Sequence, residues 1–311
     1  MADAPLEFTS SAASPHGAAL GRAADWLTDH VVNIDVPSRG SGASPLSLSM
    51  VAWWDPSLSA NQSHLTAYTL SDTLWSSWAL RQFDPPISVR LANSLRAIGC
   101  SSNGFFDQAF HIVPGPFHGH ANDSDWMHGQ VLGDASCPAA RGTGSVVTVR
   151  HPNWVPQALA ADRKMAGLFV DFAVQYAFHL LWRGQRGGAA ELLRRAAAST
   201  HPGSGDTSGI WFSEELGLIL DKADYPSYLA WKNGSAPLVY APFKQALFVL
   251  AAREMALVVE GGVVTPVMVA QLEQRILGAQ AADGSFCHRV RLGADGKALP
   301  LPATHWLGLG A

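Results

Sequence analysis

The C-terminal segment constrains the fold of this chain more than any other part. Residues 271–280 follow the apolar spacing of an amphipathic helix that ends in Gln280. Asp283-Gly284 then supplies the residue pair typical of a tight turn, Phe286 follows it, and Thr304 begins another apolar run. A helix, a tight turn and a second apolar segment together predict a helical hairpin.

Helical periodicity recurs along the chain and predicts further hairpins. The predicted helices cover residues 18–32, 66–83, 87–98, 158–182, 189–198, 242–258 and 266–280. The segments 35–62, 99–157 and 200–236 lack this period and are predicted to be loops, the second of them rich in His. Because helical hairpins need neighbours to cover their apolar faces, this pattern favours a closed ring. We therefore expect one all-α domain over residues 1–311.

Four motifs, in this order, resemble those of the α/α-toroid superfamily, which includes terpenoid cyclases, protein prenyltransferases and several carbohydrate-active enzymes. They are Tyr68–Trp75 around Asp72, Val170-Asp171-Phe172 with Trp182-Arg183-Gly184, Tyr240–Leu247, and Gln280–Phe286. Their order is similar to that in a group of secreted-type archaeal and bacterial toroid proteins without an assigned activity. The resemblance implies an (α/α) barrel with its site in a central cup, under the loops 99–157 and 200–236. The chain departs from that group at His305, where the group has Glu, and at Ser285, where it has a second Gly.

Composition limits the class of protein. The 311 residues are 48% hydrophobic and 15% charged, which is typical of a globular protein with a sizeable core. The net charge of −4, without a basic stripe, argues against a nucleic-acid partner. No apolar run reaches the ~18 residues of a membrane span.

Cysteines and sequons are compatible with an extracellular or cell-surface location. Cys100 and Cys137 bracket the His-rich segment and would form a disulfide in a secreted protein, with Cys287 free. N-glycosylation sequons begin at Asn61, Asn122 and Asn233. Residues 1–5 lack the basic and apolar regions of a signal peptide, and a mature chain with an added Met would look the same.

Carboxylates are the first candidates for catalysis. Glycoside hydrolysis needs two carboxyl groups, one protonated and one ionised. Asp72 and Asp171 lie in otherwise apolar helices, where an acid is costly unless it is partnered or faces a cavity. Glu214 and Glu215 are further candidates from an irregular segment. A helix-capping or buried hydrogen-bonding role is the alternative for the two aspartates.

A second candidate pair is Tyr240 and Lys244. They are spaced i, i+4 and would share a helical face. Such a pair suits a polysaccharide lyase, in which a base removes the proton beside a uronate carboxylate. The alternative is an ordinary helix start whose lysine extends to solvent.

The His-rich segment and scattered aromatic residues suggest ligand binding. His118, His120 and His128 have the short spacing that suits Zn or Cu, although a polar loop without metal is the alternative. Flat side chains that stack on sugars are the substrate-binding candidates: Trp75, Phe117, Trp126, Trp211 and His305. No other cofactor is expected.

The sequence thus favours a secreted carbohydrate-active enzyme, either a glycoside hydrolase or a polysaccharide lyase. Two alternatives remain open: a non-catalytic toroid that binds glycan or protein, and a metal-dependent enzyme that uses the three histidines. A small-molecule or polysaccharide substrate is the expected partner. Since one fold carries many chemistries, the resemblance alone does not choose among them.

Overall fold

The structure is a computed structural model. It describes residues 15–36, 46–51, 67–69, 73, 76, 77, 79–98, 109–111, 136–138, 146–148, 165–182, 184–199, 209–287, 289–293 and 296–301. The helices are α1 (Pro15–Asp29), α2 (Pro85–Ile98), α3 (Val170–Trp182), α4 (Arg186–Ala198), α5 (Tyr225–Lys232), α6 (Pro242–Glu254) and α7 (Pro266–Leu277). The strands are β1 (Val31–Val36), β2 (Leu46–Val51), β3 (Ala67–Thr69), β4 (Ala109–His111), β5 (Ser136–Pro138), β6 (Val146–Thr148), β7 (Trp211–Ser213), β8 (Leu218–Leu220), β9 (Val239–Tyr240), β10 (Val290–Leu292) and β11 (Ala298–Pro300).

The prediction of an all-α toroid is wrong, because helices and antiparallel strands alternate along the chain. β1 pairs with β2, β3 with β4, β5 with β6 and β7 with β8, while β10 lies between β9 and β11. After the Asp283-Gly284 turn the chain enters β10 and β11, and the helix predicted to begin at Thr304 lies outside the described residues. The fold is therefore mixed α and β.

Short strands account for the error. Val32 to Val36 alternates apolar and polar residues with the period of two that favours a strand. The strand β1 pairs with β2, which lies inside the predicted loop 35–62. Leu218, Ile219 and Leu220 are all apolar and buried, so β8 shows no alternation of apolar and polar residues in the sequence. The predicted loop 200–236 also contains β7 and the short helix α5.

Several predicted helices are confirmed, and their ends have identifiable causes. α2 begins at Pro85, where the Asp84 carboxylate accepts a hydrogen bond from the Ile87 amide at 3.1 Å. α7 begins at Pro266, where the Thr265 hydroxyl accepts one from the Met268 amide at 3.1 Å. Proline fits the first turn of a helix because its missing N–H has no partner there.

Two cores lie on opposite sides of the β7–β8 hairpin. The larger core is built from α3, α4, α6 and α7 and receives Ile219. The smaller core receives Leu218 and Leu220, together with Trp211 and Tyr240. The alternation along β8 places the next residue, Asp221, on the side of the larger core.

A junction near Gly284 connects the first helix with the C-terminal part of the chain. The Gln280 side chain donates hydrogen bonds to the Ala19 carbonyl at 2.8 Å and to the Gly284 carbonyl at 3.0 Å. Arg22 donates to the Gln280 carboxamide oxygen at 2.6 Å. Gly284 has φ +94°, and a β-carbon there would lie 2.2 Å from the Arg22 carbonyl oxygen. Only glycine fits this position.

Candidate functional site

The site begins where β8 ends. The Asp221 carboxylate accepts a hydrogen bond from the Ala223 amide at 2.9 Å, and the Asp224 carboxylate accepts one from the Asp221 amide at 3.1 Å. Aspartates commonly bond to nearby backbone amides in this way at turns. The two side chains therefore stabilise the turn between β8 and α5 and point toward the same space.

Lys244, in the first turn of α6, lies between the two aspartates. Its ammonium nitrogen is 2.8 Å from a carboxylate oxygen of Asp221 and 2.8 Å from one of Asp224. The Lys244 side chain is only 10% exposed, and that of Asp221 is fully buried. The alternative of a lysine extending to solvent is therefore not what the structure shows.

The N-terminus of α3 adds Asp171. The Val170 amide donates to the Asp221 carboxylate at 3.2 Å, which brings the start of α3 against the turn. The Asp171 carboxylate accepts a hydrogen bond from the Phe172 amide at 3.0 Å and is half-buried. It is close enough to Asp221 and Lys244 for their charges to interact. We call these four residues, Asp171, Asp221, Asp224 and Lys244, the aspartate–lysine cluster.

Burial controls the proton affinities in the cluster. It raises the pKa of Asp171, against the opposing effect of the Phe172 N–H, and the Asp221 charge raises it further. Burial also raises the pKa of Asp224 to about 6, although the Lys244 ammonium opposes this. Burial lowers the pKa of Lys244, but the carboxylates of Asp224 and Asp221 outweigh it and raise that pKa above its ordinary value. The cluster thus combines a firmly protonated lysine with carboxyl groups that take up protons more readily than usual.

Gln245 holds the two sides of the site together. Its carboxamide accepts a hydrogen bond from the Ile219 amide at 2.8 Å and donates one to the Ile219 carbonyl at 2.9 Å. The residue is fully buried. β8 is thereby fixed to α6 next to the position from which Lys244 reaches Asp221.

Tyr240 lies apart from Lys244. It belongs to β9 and pairs with Val290. The helix α6, which carries Lys244, begins only at Pro242. The two residues therefore do not share a helical face. The Tyr240 hydroxyl is buried and donates to the Arg275 carbonyl at 3.2 Å, and burial raises its pKa to about 12 despite the Arg275 charge. Neither Tyr240 nor the protonated Lys244 is suited to remove a proton at neutral pH.

Other predicted residues lie away from the cluster. Glu214 and Glu215 are exposed in the turn between β7 and β8, at the opposite end of the hairpin from Asp221. Trp211 is buried in the smaller core, edge-on to Tyr225 and Tyr228, rather than open to a sugar. Its indole nitrogen is buried and has no hydrogen-bond partner among the residues that the structure describes.

The remaining predicted residues fall outside the described part of the chain. They are Asp72, Trp75, Phe117, His118, His120, Trp126, His128, His305 and Cys100. The histidine metal site and the Cys100–Cys137 disulfide therefore stay predictions, while Cys287 is a free, half-buried cysteine. Within the described ranges, no three His, Cys, Asp or Glu side chains are arranged to hold a metal ion. In the same ranges, no helix has both the length and the apolar character needed to cross a membrane.

Sequence reasoning missed Asp221, Asp224 and Gln245. A signal for the first two was present, because two aspartates three residues apart directly follow the apolar run of β8. This pattern is typical of a strand that ends in a turn and continues into a helix. No comparable signal marked Gln245.

The aspartate–lysine cluster can hold a proton on a carboxyl group, raise the affinity of that group for the proton, and transfer the proton to a bound molecule. Asp171 is the least buried residue of the cluster, while Asp221, Asp224 and Lys244 are buried. No protein-family model matches the chain, and no curated protein or solved structure matches it. Its function is therefore inferred from the residues themselves.

Proposed function

We propose that the chain is a carbohydrate-cleaving enzyme in which Asp171 donates a proton to the glycosidic oxygen. The observation that carries the proposal is the convergence of Asp171 and Lys244, two residues distant in sequence, with two further aspartates. A general acid needs a carboxyl group that keeps its proton near the working pH. The raised pKa of Asp171 supports that role.

The buried members of the cluster act on Asp171 and not on the substrate. The Asp221 carboxylate disfavours a second negative charge nearby and raises the pKa of Asp171, while the Lys244 ammonium opposes this with a smaller effect. Lys244 compensates the charge of Asp221 and Asp224 and keeps both carboxylates in place. These three are positioning residues in the proposed mechanism.

Hydrolysis is favoured over elimination. A lyase needs a base beside the uronate carboxylate, and both candidates for that base retain their protons: the pKa of Tyr240 is about 12 and that of Lys244 is raised. A hydrolase needs a second carboxyl group as base or nucleophile. Asp72 remains our proposed partner for Asp171 in that role, and it lies outside the described residues.

The competing explanation is that the cluster only stabilises the fold. One pair of variants distinguishes this explanation from a catalytic role of Asp171. Asp171→Asn removes the proton donor with almost no change in shape. Asp25→Asn is the matched control, because Asp25 is exposed on α1. We expect Asp171→Asn to lower the release of reducing ends from a polysaccharide panel by ~10²-fold or more with little change in melting temperature.

The pH profile gives an independent readout. A general acid works only while protonated, so wild-type activity should fall as the pH rises through the raised pKa of Asp171. Activity of Asp171→Asn equal to that of Asp25→Asn would sink the proposal. A product with a new ultraviolet-absorbing double bond would show elimination in place of hydrolysis.

A further inference from the structure

A polar cavity between β2 and α2 has no part in the proposed chemistry. It is a depression open to solvent, with a volume of about 290 Å³, and is lined by Ser47, Ser49, Arg90, Asn93 and Ser94. This is close to the lower end of the range typical of small-molecule sites, ~300–1,000 Å³. We call it the serine–arginine cavity.

The local structure explains why these residues meet. Along β2 the side chains alternate, so Leu48 enters the larger core while Ser47 and Ser49 lie on the other face. On α2 the spacing of Arg90, Asn93 and Ser94 places them on one face, as residues three and four apart are helical neighbours. Of the neighbouring residues, Ala92 is buried in the larger core. Leu91 is buried in a separate small cluster with Ala24, Leu80 and Ile87.

The floor of the cavity is fixed by its own hydrogen bonds. The Ser49 amide donates to the Ser94 hydroxyl at 2.7 Å, and that hydroxyl donates to the Arg90 carbonyl at 2.9 Å. The Ser49 hydroxyl donates to the Asn33 carboxamide oxygen at 2.7 Å. Each hydroxyl has one proton, and the hydroxyls of Ser49 and Ser94, which form the floor, already donate theirs within the protein. They can therefore only accept hydrogen bonds from a ligand.

The exposed rim of the cavity, formed by Arg90, carries a positive charge and donates hydrogen bonds, whereas the floor accepts them. The Arg90 guanidinium is exposed and always charged, and it pairs with no carboxylate in the described part of the chain. The cavity lining contains no acidic residue among those described. A ligand that satisfies both ends must donate hydrogen bonds to the floor and present an anion to Arg90, and an anionic sugar does both.

We infer that the serine–arginine cavity binds a small anionic sugar, with its hydroxyls on Ser49 and Ser94 and its carboxylate or phosphate on Arg90. Guanidinium groups bind both kinds of anion with two parallel hydrogen bonds. The inference does not depend on the catalytic role of Asp171. A failure of one proposal therefore leaves the other unaffected.

Titration calorimetry of the full chain tests the inference with four ligands: glucuronate, glucose 6-phosphate, glucose and inorganic phosphate. We expect at least one of the two anionic sugars to bind at least tenfold more tightly than both glucose and inorganic phosphate. The tighter of the two anionic sugars identifies the source of the charge. Equal binding of inorganic phosphate would contradict the role of the floor hydroxyls, and no binding of either anionic sugar would overturn the inference.

Two arginine variants make the test specific to the cavity. Arg90→Gln should weaken the anionic sugar at least tenfold, while leaving the melting temperature unchanged because Arg90 is exposed. Arg81→Gln is the matched control, since Arg81 is an exposed arginine just before α2 and outside the cavity lining. Equal binding by the two variants would overturn the inference.

Discussion

Replacing Lys244 with Met should destabilise the protein in a manner that depends on pH. Lys244 is nearly buried and pairs with two aspartates at 2.8 Å each. At an effective dielectric constant of 20, a single pair at that distance is worth about 6 kcal/mol, and the burial of the charges offsets much of it. Removing one partner of a buried pair typically costs about 3–5 kcal/mol, because the other charge is left unpaired.

The aspartates limit that cost by taking up a proton. Relative to an ordinary aspartate pKa near 3.9, protonating one buried carboxylate costs about 4 kcal/mol at pH 7 and less than about 2 kcal/mol at pH 5. A carboxyl whose folded-state pKa is raised stabilises the folded protein below the ordinary pKa and loses this effect as the pH rises. The deficit of Lys244→Met should therefore be larger at pH 7 than at pH 5.

Urea unfolding followed by far-ultraviolet circular dichroism at both pH values measures this deficit. Lys222→Met is the matched control, because Lys222 lies between the two aspartates in sequence but is exposed. It should change the free energy of unfolding by less than about 0.5 kcal/mol. A Lys244→Met deficit no larger than the control's, or one that grows toward pH 5, would refute the reasoning.

Two further predictions concern stability. Since burial raises the folded-state pKa of Asp224 to about 6, the wild-type free energy of unfolding should fall by up to about 3 kcal/mol between pH 4 and pH 7. Asp224→Asn should flatten this part of the urea-derived profile, and an unchanged slope would count against the assignment. Gly284→Ala should lower the free energy of unfolding by about 1–3 kcal/mol, because the new methyl group overlaps the Arg22 carbonyl. Gly296→Ala is its control, since Gly296 also has a positive φ, +76°, but faces open space; equal losses would show that backbone strain alone acts at Gly284.

The sequence predicted long helices better than short strands. The helices α2, α4, α6 and α7 carry ten or more residues of clear helical periodicity. The three-residue strands β7, β8 and β10 are too short for a period to show, and their partners are set by the tertiary fold. The prediction of a toroid failed because the segments between helices were assumed to be loops.

The candidate site was predicted in part. Asp171 stood out because a charge in an apolar helix demands a partner. Lys244 stood out because it is spaced i, i+4 from Tyr240. Their actual partners, Asp221 and Asp224, lie in a segment that was taken for a loop, so the pairing was not foreseen. The Tyr240–Lys244 pair failed for a local reason, since the strand β9 ends between them and the chain turns before α6 begins.

The junction at Gly284 also bears on the order in which the protein is completed during synthesis. The Arg22–Gln280 hydrogen bond joins residues 258 positions apart. At the usual translation rate of ~5–20 residues per second, roughly 10–50 s separate the synthesis of these two partners. The segment that forms α1 therefore spends most of translation without the contacts that fix it to the C-terminal turn. The docking of α1 through Ala19 and Arg22 is therefore a late step, which waits for Gln280 to be made.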